Sequence, residues 1–417
     1  MKLKMKKQII FPLIFLIGCV QIFGQTHNDW RGPNRSGVYN ETGLLKKWPE
    51  KGPELLWSVT GLPKGNSSVA VGNNIIYITG IKGETEVLVA MDMKGNKLWE
   101  TNYGRAWTES FPESRSTPII DNERIYVTSG KLDAACIDAK NGKVIWSVKV
   151  NDLFEGNFGR WGKAESPVIL DNKIFFTPCG DKTTMVALDK MTGATIWSSE
   201  SIHDVSAYVS PLLFEYKGKQ YLVTVTEKNI VALSPLNGAI IWKFDFGTLA
   251  QDANIHANTP LYKDGKIYVT SGYNHTSVML KLSDDGKSVT QLWTDKVLDN
   301  HHGGVVLVNN YIYGSNWLNN SQGRWVCLDW NSGKVMYETD WLNKGEIISA
   351  DGFLYCYEEK NGNIALVKAN PEKFELISSF KINMGSGPHW SHPIINNGIL
   401  YIRHGEALMA YDIKEKK

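Results

Sequence analysis

One phrase recurs along the chain and leaves few folds open to it: a small residue, Asp two on, Gly six on, an indole ten on. The clearest copy runs Ala187, Asp189, Gly193, Trp197. Cys136, Asp138, Gly142 and Trp146 keep the spacing, as do Ala232, Ser234, Gly238 and Trp242, and Cys327, Asp329, Gly333 and Tyr337. Ala90, Asp92, Gly95 and Trp99 form a copy one residue shorter, Leu280 to Trp293 a copy with an insertion, and Leu366 to Ile377 a weaker echo. Each copy predicts strand, polar Gly turn, strand. The expected role of Trp57, Trp99, Trp146, Trp197, Trp242 and Trp293 is to dock one unit on the next, and that of Asp92, Asp138, Asp189 and Asp329 to cap turns.

A second phrase, an aliphatic followed by an aromatic, opens a β-rich run before each copy. It appears as Ile76-Tyr77, Ile125-Tyr126, Ile174-Phe175, Ile267-Tyr268, Ile312-Tyr313, Leu354-Tyr355 and Leu400-Tyr401, with Gln220-Tyr221 as a variant. Repeats of about 40–50 residues with four strands each imply a radial ring or a solenoid. The ends decide between them. The last unit stops after Ala410-Tyr-Asp412, and a matching lone strand stands at Glu54–Val59. A ring uses such a split unit to remove its exposed edge, whereas a solenoid has no use for it. The expected fold is therefore all-β: an eight-bladed β-propeller of four-stranded antiparallel blades, closed by an N-terminal strand.

Residues 1–24 read as a signal peptide: Lys2, Lys4, Lys6 and Lys7, then the apolar run Ile9 to Ile17, too short for a comfortable membrane span. Gly24-Gln25 suits an ordinary signal peptidase, while Leu16-Ile-Gly-Cys19 matches a lipobox that would lipidate Cys19. The protein is thus expected to be exported to the periplasm, or anchored to the outer membrane through Cys19. Those 24 residues hold four Lys and no acid, so their removal takes the formal charge from +2 to −2. That leaves no basic footprint for nucleic acid. Cys136, Cys179, Cys327 and Cys356 read as small buried hydrophobes. Residues 25–54 are expected to be an irregular lead-in lying across one face of the ring, and residues 55–417 one propeller domain, monomeric.

In a propeller the loop entering each innermost strand lies on one rim. These loops hold most of the unusual residues: Glu113 and Arg115; Arg160, Trp161, Lys163 and Glu165; Tyr208; His256 and Asn258; His301 and His302; His389, Trp390 and His392. Such a convergence at one concave mouth is the expected ligand-binding site. Each group also has a plainer reading. Adjacent residues on a strand face opposite ways, so His301 and His302 are not expected to share an ion. Arg115, Arg160 and Lys163 suit an anion or simply neutralise Glu113 and Glu165. Trp161 and Trp390 suit stacking on a sugar or flat ring, or packing.

The Ala-x-Asp-x-x-x-Gly-x-x-x-Trp phrase resembles the docking motif of PQQ-type (quinoprotein) propeller repeats. Trp30-Arg-Gly-Pro-Asn-Arg-Ser-Gly37, Glu165-Ser-Pro167 and Asn300-His-His-Gly-Gly304 look like the exported PQQ-like branch, among outer-membrane assembly propellers and polyvinyl-alcohol-dehydrogenase-like proteins. The quinoprotein resemblance implies PQQ and calcium on the axis. It offers Glu165 and Asn258 to calcium, Arg115 or Arg160 to PQQ carboxylates, Trp161 or Trp390 to stacking, and Asp299 as base. The adjacent-cysteine pair, inserted cap and haem motif of those dehydrogenases are missing here. The assembly-factor resemblance implies a docking platform for extended segments, without catalysis. Three functions stay open: a ligand-binding or docking protein for a small molecule, saccharide or extended peptide; a quinoprotein alcohol or sugar dehydrogenase; and an assembly scaffold lipoprotein.

Overall fold

The small slot of the repeated phrase exists because two aromatic rings meet across it. Tyr77 pairs with Ala90, which pairs with Trp99; Tyr126 with Cys136 and Trp146; Phe175 with Ala187 and Trp197; Tyr401 with Ala410 and Trp57. In each of these four blades the outer two residues close over the middle one, with ring centroids 5.7–6.1 Å apart. A larger middle side chain would hold those rings off. The two sequence phrases are thus two halves of one packing unit.

The computed structural model describes residues 30–416. The signal segment and Cys19 lie outside the described residues. Seven sheets of four consecutive antiparallel strands span 70–105, 119–149, 168–198, 212–245, 261–295, 305–339 and 345–381, and residues 394–412 give three strands of blade 8. In blade 8 the strand Glu54–Val59 pairs antiparallel with Ala407–Asp412, Trp57 opposite Ala410. Ring closure by the N-terminal strand is therefore direct. Apart from one four-residue α-helix, Val150–Leu153, and two 3-10 turns, the described regular structure is strand.

Each indole also packs against the turn glycine of the next blade. A methyl added at Gly95 would fall 2.9 Å from Trp57, at Gly142 2.6 Å from Trp99, at Gly193 2.9 Å from Trp146, at Gly238 2.5 Å from Trp197 and at Gly333 2.6 Å from Trp293. Trp57, Trp146 and Trp197 donate Nε1–H to the carbonyls of Met93, Lys190 and Pro235, each one residue past the capping Asp or Ser. Trp242 is the exception: it is buried between blades 4 and 5, but the inserted turn sets Gly286 against Tyr221 instead. Blade 7 carries no indole of its own. Trp48 of the lead-in supplies it, 5.9 Å from Tyr355 and 5.1 Å from Phe380.

Residues 41–48 of the lead-in run over the far-side turns of blades 7 and 8, where Glu41 accepts the N–H groups of Asn397 and Gly398 and Leu44 donates to Asp351, while the residues before them take a deeper path. Val38–Tyr39 runs parallel to the first strand of blade 7, Gly345–Ala350. Arg31 is buried and donates to the carbonyls of Val305 and Ile347 on blades 6 and 7. Arg35 donates to the carbonyls of Ser166 and Pro167 on blade 3, and Pro33–Arg35 packs near the first strand of blade 4. Residues 31–39 therefore occupy the axis, running from the entry rim toward the far end. Their buried guanidiniums fit because inner strands start there with unpaired carbonyls, which an arginine fork can satisfy. A recess of about 250 Å³ remains at the far end, lined by Pro33, Tyr39, Asn40, Glu41, Val71 and Asn396 among others.

Candidate binding mouth

At the entry rim, six rings from four blades form a connected arc. Phe111 lies 5.6 Å from Trp390, Trp390 5.1 Å from His302, His302 4.2 Å from His301, His301 5.1 Å from Tyr273, and Tyr273 5.0 Å from Trp317. Phe111 is exposed and the others are half-buried, so the arc is a surface rather than a core. Across the mouth, Trp161 packs on Tyr208 at 5.6 Å, under the exposed Arg160 at 5.1 Å. The Tyr208 hydroxyl accepts the backbone N–H groups of Arg160 and Trp161, which fixes that platform.

Beneath the arc lies a set of buried charges. Glu346, fully buried on the first strand of blade 7, faces His302 Nδ1 at 3.1 Å and His392 Nε2 at 2.9 Å. Glu359 faces His302 Nε2 at 3.5 Å and Lys344 Nζ at 2.6 Å. Burial disfavours the imidazolium of His302, but Glu346 and Glu359 outweigh it and raise its pKa. Glu346 goes the other way: burial raises it, and His392 and His302 more than reverse that. Burial depresses the pKa of His301, and the neighbouring charges of His302 and Lys344 add to the effect. Trp30 closes the base, edge-on to His392 at 5.4 Å.

Three of the five rim histidines, 301, 302 and 392, thus converge. The other two pack between blades. His256 Nε2 meets the Glu227 carbonyl at 2.9 Å and is pushed down to about 3 by burial. His389 bonds the Tyr357 hydroxyl, stacks on His404 at 3.6 Å, and is likewise pushed to about 3 by burial. Neighbouring His301 and His302 share a side because they sit in a bend before the strand Val305–Val308, where strand alternation does not apply. Sequence reasoning missed Glu346, Glu359 and Tyr273. Lys344, just before the strand that carries Glu346, pairs with Glu359.

The remaining rim residues are engaged locally. Arg115 donates to the carbonyls of Trp161, Ser110 and Phe111. Glu113 accepts from Asn66 and pairs with Lys64 at 3.3 Å. Lys163 is buried on the carbonyls of Thr177 and Pro178 and the Ser206 hydroxyl, its pKa lowered to about 8 by burial. Glu165 takes the Thr177 N–H on both oxygens, and burial raises it to about 7. Asn258 donates to the carbonyls of Asn300 and His301 and accepts the Gly304 N–H. Asp299 accepts the N–H groups of Asn274 and Trp317, and burial raises it to about 7. The oxygens offered to calcium and the Arg115 fork offered to PQQ are thus committed to the protein's own backbone. The residues present do not fit that cofactor set.

The family described as outer membrane protein assembly factor BamB matches residues 83–339, more than half of the chain. The chain belongs to that family. An uncharacterized protein of Rickettsia conorii is 24% identical over 79% of this chain and 73% of its own length. Among solved structures, BamB from Moraxella catarrhalis aligns with TM-score 0.62 and 14% identity, over 87% of this chain and 98% of that one. Quinohemoprotein alcohol dehydrogenase from Comamonas testosteroni aligns with TM-score 0.68 and 11% identity, over 94% and 81%. At such identities the two structures share the propeller fold with this BamB-family chain, and the fold alone decides no activity.

Proposed function

We propose that this chain is an exported docking protein that holds an extended peptide segment at its entry-side mouth, without chemistry. The arc of six rings from Phe111 to Trp317 carries this reading. Large flat side chains with little rotamer entropy are the usual anchors of protein recognition. Beneath them Glu346 is shared between His302 and His392, and Glu359 pairs with Lys344, so these two carboxylates are engaged within the protein. Residues 31–39 fill the axis, which confines a ligand to the rim. Membership in a family described as outer-membrane assembly factors, and the basic-then-apolar start of the sequence, support export.

The test is binding of the mature chain to arrayed peptides of alternating apolar and polar residues, with arrayed linear oligosaccharides beside them. Peptide binding should weaken roughly thirtyfold on Trp390→Ala, as for an interface aromatic worth about 2 kcal/mol. Binding of oligosaccharides alone, or peptide binding indifferent to Trp390→Ala and Trp161→Ala, would overturn the proposal. Dye reduction by the chain with added PQQ, calcium and an alcohol would replace it with the dehydrogenase reading.

A further inference from the structure

We propose that His301, His302 and Glu359 form a binding site for one divalent transition-metal ion, with zinc the best match. Their ligand atoms all lie within 4.8 Å of one another, the one such group of His, Cys, Asp and Glu among the described residues. Two neutral imidazoles and a carboxylate are a donor set that zinc accepts in tetrahedral geometry with its fourth position open. At metal–ligand bonds of about 2.0–2.1 Å, neighbouring donors stand roughly 3.3 Å apart. His302 Nε2 and Glu359 Oε2 already stand at 3.5 Å, close to that spacing.

The second observation is what the other atoms of these side chains do. His301 Nδ1 and His302 Nε2 are buried and have no hydrogen-bond partner. The opposite atom of every ligand is held: His301 Nε2 by the Tyr273 hydroxyl at 2.9 Å, His302 Nδ1 by Glu346 at 3.1 Å, and Glu359 Oε1 by Lys344 at 2.6 Å. Outer partners that fix the tautomer and aim of each ligand are the usual surroundings of a metal site. A proton on His302 bridging Glu346 and Glu359 is the competing account, but it leaves His301 Nδ1 orphaned. A metal occupies both nitrogens. The fourth position would be left to water or a ligand oxygen. The site stands whether or not a peptide docks above it.

The measurement is titration of the full chain, stripped with chelator, with zinc by calorimetry and with cobalt by visible absorption. One ion per chain is expected, with the visible bands of tetrahedral cobalt. His301→Ala and Glu359→Gln should each abolish both signals while the thermal transition stays cooperative, and the exposed His203→Ala should leave them unchanged. Tyr273→Phe removes only an outer partner and should weaken binding about 10–100-fold. No stoichiometric uptake of either ion, or uptake indifferent to both His301→Ala and Glu359→Gln, would overturn the site. Peptide binding measured in chelator tells a failure here from a failure of docking.

Discussion

The guanidinium of Arg31 occupies the space a side chain at Gly304 would need: a methyl there would fall 2.5 Å from Arg31 Cζ. Gly304 also holds φ of +72°, a conformation that favours glycine. Two motifs conspicuous in the sequence, Trp30 to Gly37 and Asn300 to Gly304, are therefore one contact, made where the lead-in enters the axis.

Gly304→Ala should destabilise the protein by roughly 1–3 kcal/mol, as overpacking of a filled site does. Combined with Arg31→Ala it should cost less than the sum of the two single changes, because the clash disappears with the guanidinium. Denaturant unfolding of the four proteins in this cycle checks it.

Trp197→Ala should cost about 3–5 kcal/mol, since the indole fills the seam between blades 3 and 4 and bonds the Pro235 carbonyl. Trp48→Ala should weaken blade 7 in the same way, although position 48 stands outside every repeat. Equal unfolding midpoints for Trp48→Ala and the parent would refute its role as the missing indole.

Arg403 is buried at the closure of the ring, donating to the Ser67 hydroxyl and to the carbonyls of Thr79, Pro63 and Gly405. Arg403→Met strands those acceptors and should cost at least about 3 kcal/mol. Arg403→Lys should recover little, because one ammonium cannot span both blade 8 and blade 1. Thermal unfolding of the two variants reads the difference.

Burial raises Glu86 to about 7, against bonds from Tyr103 and the Gly130 N–H that favour its charged form. The folded state therefore holds a proton that the unfolded chain, near 4.5, has released. Its contribution is complete below about 4.5 and is lost as pH rises through about 7. Glu86→Gln keeps the acceptor for Gly130 N–H and should flatten that part of the stability–pH profile. An unchanged slope between pH 5 and pH 8, in steps of about one unit, would contradict the assignment.

The ring was legible because its grammar is local. Tyr77, Ala90, Trp99 and the turn glycines meet within one blade or its neighbour, so their spacing survives in the sequence. The mouth was legible only in outline. His301, Trp390 and Tyr208 announced themselves by residue type, but Glu346 looks like any position in a β-rich run until three blades converge on it. His256 and His389 carry the same chemical letter as His301, and only packing against Phe246 and His404 separates them. The path of the lead-in depends on Arg31 and Arg35 finding carbonyls hundreds of residues away, which no local pattern encodes.

The outer strands offer a rival surface, since Leu56, Leu98, Ile145, Ile196 and Leu292 are exposed just before their docking tryptophans. Hydrogen exchange of the mature chain with and without a peptide bound from the array separates the two most directly. Protection confined to the loops around 111–116, 273, 299–304, 317 and 386–392 is the predicted result. Protection along the outer strands, with those loops unchanged, would contradict a binding mouth.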